Sequence, residues 1–325
     1  MIGAWRLALR NLQRNSRRNI ATGLAVALGF SGLVVVAGYI IRVDRYLATA
    51  AVYLAHTGHV AIYKRDGIDL ATTKPKRYSL TREDQSAIAQ VLAADPNVEF
   101  SGAYLQGIGL IGNGCRAIPF VGQGMEPAAA NFVLNHPQVV RELPELRKPL
   151  RGRSIGQASS NAVSVTGSLA RRLGKPHVDG EAGLDKSARA VDCKEASAVA
   201  QIASNASVQL LGATFSGSFT AVEATLAGIH TTGVAELEDS SLVTSLSMMQ
   251  AIFETDKATY VGVYLKDADD LEAYRDSLQS RLDARGIKVS VYPFTDERLS
   301  PFYVGAHSFT NVMGMFIGTI LLVVI

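Results

Sequence analysis

The strongest constraint on this chain is a run of 22 residues without a charge, Ile20 to Ile41, in the stretch "IATGLAVALGFSGLVVVAGYII". At ~1.5 Å rise per residue it makes a helix of roughly 33 Å, enough for the ~30 Å hydrocarbon core of a bilayer. A cleavable signal peptide is the main rival, since it too places arginines before an apolar run. Its apolar core is usually shorter, ~7–15 residues, and the small residues of "ATAA" lie too far beyond Arg42 for a normal cleavage site.

Charge orients the span. Residues 1–19 carry Arg6, Arg10, Arg14, Arg17 and Arg18 and no acid, so they contribute +5 of a chain that sums to +3. The remainder is 3 − 5 = −2, which excludes a basic nucleic-acid footprint downstream. The positive-inside rule puts the N-terminus in the cytoplasm. Trp5, Leu9 and Leu12 fall on one helical face, with arginines on another. Residues 1–19 thus fit either an interfacial helix on anionic lipid, anchored by Trp5, Arg6, Arg10, Arg14, Arg17 and Arg18, or a plain positive-inside anchor.

A second apolar run, 309–325, is uncharged for 17 residues and is expected to be an incomplete returning span. Residues 42–308 then lie outside, with Tyr39, Tyr46, Phe302 and Tyr303 at the outer interface. Small residues recur four apart at Ala21, Ala25 and Gly29, and at Gly314 and Gly318, a spacing that lets helix backbones approach.

The outer region reads as α+β. Tyr46, Leu47, Ala50 and Leu54 continue the first helix as a stalk. "GHVAIYK" alternates like a strand. Thr81 and Asp84 form a capping box ahead of a helix with Ile88, Val91 and Leu92 as its buried stripe and Pro96 beyond it. Two strands are expected around an Asn113-Gly114 turn. Strand, helix and strand over 259–294 suggest a βαβ unit, and "SVQLLGA" and "FTAVEATLAGIHTT" are strand-like. The expectation is a mixed α+β domain of two subdomains flanked by two transmembrane helices, with 42–124 and 246–308 forming one subdomain and 125–245 inserted in it. Lys175 to Ala206 is small, polar and aperiodic, and reads as a long surface excursion.

The motifs that would carry chemistry fail on context. Gly107, Gly109 and Gly112 match a dinucleotide-binding spacing, but a hairpin turn follows instead of a helix. Gly152 to Gly156 matches Gly-x-Ser-x-Gly, yet "RKPLR" before it makes a poor strand for a nucleophile elbow. His56 and His59 have no third ligand nearby, so a structural role is favoured and no metal is assigned. The chain has no P-loop, and no catalytic residue or cofactor site is expected. Cys115 and Cys193 are the two cysteines; in an exported region they can pair, closing a loop worth about 4 kcal/mol on chain-entropy grounds.

The order of landmarks resembles a known family. "LALRNLQRNSRRNIATGLAVALGFSGLVVV" resembles the opening of FtsX-like ABC transporter permeases, the family of the MacB and LolC/LolE proteins. "TGHVAIYK" looks like a strand of the lipoprotein-releasing subgroup. "VGQGMEP", "LRGRSIG", "GSLARRLG", "FTAVEATLAGIHTTG" and "SLVTSLSMMQAIF" look like successive landmarks of the MacB-type periplasmic core. The resemblance implies a non-catalytic permease subunit of the inner membrane. It implies a separate ATPase partner, a second permease subunit (the same chain or a related one), contact with membrane lipid, and a lipoprotein or adaptor outside. Family members have four transmembrane helices, so the chain is expected to be a fragment or a truncated product. A two-span sensor with an extracytoplasmic ligand-binding domain, or an exported enzyme after signal cleavage, remains open at this point.

Overall fold

The structure is a computed structural model describing residues 16–181, 184, 192–195 and 197–324. The expected anchor residues Trp5, Arg6, Arg10 and Arg14 lie outside the described residues. Arg17 and Arg18 are exposed in the first turn of α1 (Ser16–Thr49). The helices of six or more residues after α1 are α2 (Arg82–Ala93), α3 (Pro127–Asn135), α4 (Pro137–Glu142), α5 (Gly167–Arg172), α6 (Ala198–Ala203), α7 (Leu246–Phe253), α8 (Leu271–Ala284) and α9 (Pro301–Val324). The strands are β1 (Val60–Lys64), β2 (Val98–Gly112), β3 (Ala117–Met125), β4 (Arg151–Gly152), β5 (Ala162–Thr166), β6 (Ser207–Ala213), β7 (Phe219–His230), β8 (Ser241–Ser245), β9 (Tyr260–Leu265) and β10 (Val289–Pro293).

Two compact units result. One comprises the chain up to Ala48 and from Phe302 onward; the other is Thr49–Pro301. In the first unit α1 is apolar on every side. Leu28, Phe30 and Val35 are 71, 63 and 70% exposed, and the helix is long and apolar enough to cross a bilayer. With the π-helical turn Ala50–Leu54, the helical stretch runs 39 residues without a break. Ala25 is exposed on it and Gly29 half-exposed. On α9, Gly314 faces Ile40 and Gly318 faces open space.

The second unit is mixed α+β and built on one ten-stranded sheet. Its first part has the order β10-β1-β9-β2, every neighbour antiparallel. The expected βαβ unit over 259–294 is therefore split: β1 lies between β9 and β10 and pairs with both. The chain segment β1-α2-β2 is split in the same way by β9, which gives the interleaved ferredoxin-like arrangement. Helix α2 starts where the sequence places it. Thr81 accepts from the Asp84 amide, and the Asp84 carboxylate accepts from Thr81 N–H. Ile88, Val91 and Leu92 of α2 and Leu278 and Leu282 of α8 cover Val60, Ile62, Val261, Val263, Val289 and Val291 of the sheet.

Beyond this part the pairing closes on itself. β2 pairs β3, β3 pairs β8, β8 pairs β5, β5 pairs β7, β7 pairs β6, and β6 returns to β2. A closed ring has no free edge and encloses its own core. Leu105, Phe120, Val163, Val165, Leu210, Leu226 and Leu242 fill it. Helix α7 belongs to the same core through Met249, Ile252 and Phe253. It approaches because glycines face it: a Cβ on Gly107 would lie 2.3 Å from the Phe253 ring, and one on Gly124 2.4 Å from Met249 Cβ. The glycines that mimic a dinucleotide motif thus include the seat of a helix.

Candidate functional site

Among the described residues no group of three or more His, Cys, Asp or Glu could hold a metal. The most specialised geometry is the joint where the chain passes from helix to sheet, Thr49 to His59. The turn Ala50–Leu54 widens to π-helix, with Ala55 N–H donating to Ala50 O at 3.0 Å; such turns are rare and often mark functional positions. His56 then takes φ 61° and Gly58 φ 71°. Gly58 is irreplaceable on two counts, since a Cβ there would also sit 2.5 Å from Val263 O.

The joint is bonded to β9 and to the end of β10. Gly58 N–H returns to Val52 O at 3.0 Å, and Thr57 Oγ1 donates to Ala51 O at 2.8 Å, so the segment is folded onto itself. His59 N–H donates to Val263 O on β9 at 2.8 Å, and Phe294 N–H just after β10 donates to His59 O at 3.0 Å. His59 Nδ1 accepts from Leu265 N–H at 2.9 Å. That bond requires an unprotonated Nδ1, and burial pulls the imidazole down to about 4, so His59 is neutral and its nitrogen is used. Burial likewise pulls His56 down to about 4, reinforced by His230 of β7. His59 thus serves a structural bond, whereas His56 Nδ1 is buried without a hydrogen-bond partner among the described residues.

Around the joint lies a buried aromatic cluster. Tyr53 stacks on His136 at 4.4 Å and on Tyr264 at 5.5 Å, and its hydroxyl meets His136 Nε2 at 3.3 Å. Tyr104 and Tyr264 share a hydroxyl–hydroxyl bond of 3.0 Å. Gln123 Nε2 donates to the Tyr260 hydroxyl at 2.6 Å, which donates to His56 O at 3.3 Å. Burial raises the phenols of Tyr53, Tyr104, Tyr260 and Tyr264, so they remain donors. The cluster is a buried, hydrogen-bonded packing of aromatic rings against the joint. Sequence reasoning found the histidines but not the tyrosines, which are spread over β2, β9 and the joint.

Cys115 and Cys193 form a disulfide with Cα atoms 5.5 Å apart, tying the β2–β3 turn to the excursion. Lys175, buried at the excursion's start, donates to Asn205 O at 3.1 Å and Oδ1 at 2.6 Å near its end. Gly152 to Gly156 is β4 followed by a single 3-10 turn, not an elbow between strand and helix.

No family model matches the chain, and no curated protein matches it. Solved structures do. The chain is similar to the extracellular domain of the noncanonic ABC-type transporter YknZ from Gram-positive bacteria, at 14% identity and TM-score 0.41, covering 72% of this chain and 98% of that one. It is also similar to the periplasmic region of MacB from Actinobacillus actinomycetemcomitans, at 12% identity and TM-score 0.41, covering 73% and 90%.

Proposed function

We propose that this chain is the stalk-bearing part of an ABC transporter permease subunit, with no catalytic residues of its own. A separate ATPase would hydrolyse ATP in the cytoplasm and the chain would convert that cycle into movement outside. The N-terminus would lie in the cytoplasm, Ile20–Ile41 in the inner membrane, and 309–325 would return through it. The outer domain, in two subdomains, would act on exported cargo or a released lipoprotein. A second permease subunit would complete the membrane part, and Arg17 and Arg18 would sit at the lipid headgroups.

One observation supports this reading above the others. The helical stretch of 39 residues is about 58 Å long, nearly twice the ~30 Å apolar core it would cross. The excess makes a stalk, and it ends in a joint bonded to β9 and the end of β10 instead of a loose linker. The ordered sequence landmarks point the same way. Purification of the full-length gene product from native membranes tests the proposal. A nucleotide-binding subunit recovered in fixed ratio is the expected result; recovery of a signalling output module without such a subunit would overturn it.

A further inference from the structure

Just outside their apolar runs, α1 and α9 carry polar residues that meet. Asp44 Oδ1 and His307 Nδ1 are 2.5 Å apart. His307 Nε2 faces Asn311 Nδ2 at 2.9 Å. The Asn311 amide donates there, so Nε2 accepts and the imidazole proton stands on Nδ1, facing the carboxylate. Asp44 also accepts from the Tyr303 hydroxyl, and the Tyr303 ring lies 5.6 Å from that of His307. The Asp44 and His307 side chains are 37 and 41% exposed, at the edge of the helix pair. Farther along α9, a Cβ on Gly314 would lie 2.8 Å from Ile40 Cδ1, so the backbones come close there as well.

We infer that Asp44, His307 and Tyr303 form a polar clasp that fixes the axial register of α1 against α9. Apolar helices in lipid gain nothing from the hydrophobic effect by touching one another. A small residue such as Gly314 permits close approach, but an apolar contact can slide or roll at little cost. A directional hydrogen-bonded set cannot. A slip of one residue moves a side chain by ~1.5 Å along the axis and about 100° around it, which separates donor from acceptor. The inference rests on the helix pair itself and holds whether or not the chain serves a transporter.

The test is cross-linking in membrane vesicles carrying the full chain with Ile40→Cys and Gly314→Cys, using a short bifunctional thiol reagent. Asp44→Leu and His307→Leu should each lower the yield about threefold or more, the scale of one lost side-chain hydrogen bond. The exchange Asp44→His with His307→Asp should restore it. Formation of the Cys115–Cys193 disulfide, read as gel mobility, reports folding of the outer domain in every variant. Unchanged yield in both single variants, or an exchange variant no better than the single ones, overturns the clasp. The readout needs neither ATPase nor cargo, so its failure is separate from failure of the transporter reading.

Discussion

The two parts of the outer sheet solve one problem in opposite ways. The ring β2-β3-β8-β5-β7-β6 abolishes its edges by closing. The four-stranded part leaves β10 at the end of the sheet and must guard it. Gln279 of α8 does so: its side-chain oxygen accepts from Val291 N–H at 2.9 Å and its nitrogen donates to Val289 O at 3.2 Å. Pro293 has no N–H to offer, and its carbonyl accepts from Asp296 at 2.9 Å. An open edge presents a template for pairing with another chain, and here one side chain and one proline occupy it. Closure is a property of the whole ring, whereas edge protection rests on single residues and is correspondingly easy to remove.

The largest expected effect falls on the ring side. Cys193→Ser removes a cross-link spanning 78 positions, and should cost about 4 kcal/mol in urea unfolding under oxidising conditions. Equal stability of oxidised and reduced protein would show that the excursion adds nothing to the ring. Next, Met249→Ala should cost about 3 kcal/mol, because Met249 is fully buried beneath the glycine seat. The matched change in the other part, Leu278→Ala, should cost about as much and shift the same single transition. Two separate transitions by circular dichroism would mean that the parts unfold independently.

Acid should act through the histidines. His56, His59 and His230 are held at about 4 in the fold, against an ordinary 6.5. The unfolded chain binds more protons between those values, so stability is complete above pH 6.5 and is lost as pH falls from 6.5 towards 4. The loss should be on the order of 1 kcal/mol or more per histidine, and His59→Gln should flatten the midpoint-against-pH curve. The smallest effect on stability is that of Gln279→Ala, about 1 kcal/mol. Its sharper signature is self-association, measured by light scattering; a variant as monodisperse as the parent would mean that Pro293 suffices.

Much of the four-stranded part is legible in the sequence. The Thr81–Asp84 box and the Ile88/Val91/Leu92 stripe are local signals and give α2 directly. β6 and β7 alternate and can be read off. β5 is less plain: Val163, Ser164, Val165 and Thr166 alternate, but over only five residues, and the structure buries the polar pair as well as the apolar one. The parallel pairings β3–β8 and β5–β7 join segments far apart in the chain, and no local pattern encodes them. The joint was half legible. A stalk running on through Leu54 is written in helical spacing, but the π-turn and the left-handed His56 follow from bonds to β9 that only the fold supplies.

Strand β2 has a consequence of its own. Its 15 residues pair with β9 near the start, with β3 from Tyr104 onward, and with β6 at the far end. One ribbon is therefore a wall of both cores. Its amides should be among the last in the molecule to trade hydrogen with deuterated water, since releasing them requires both cores to come apart.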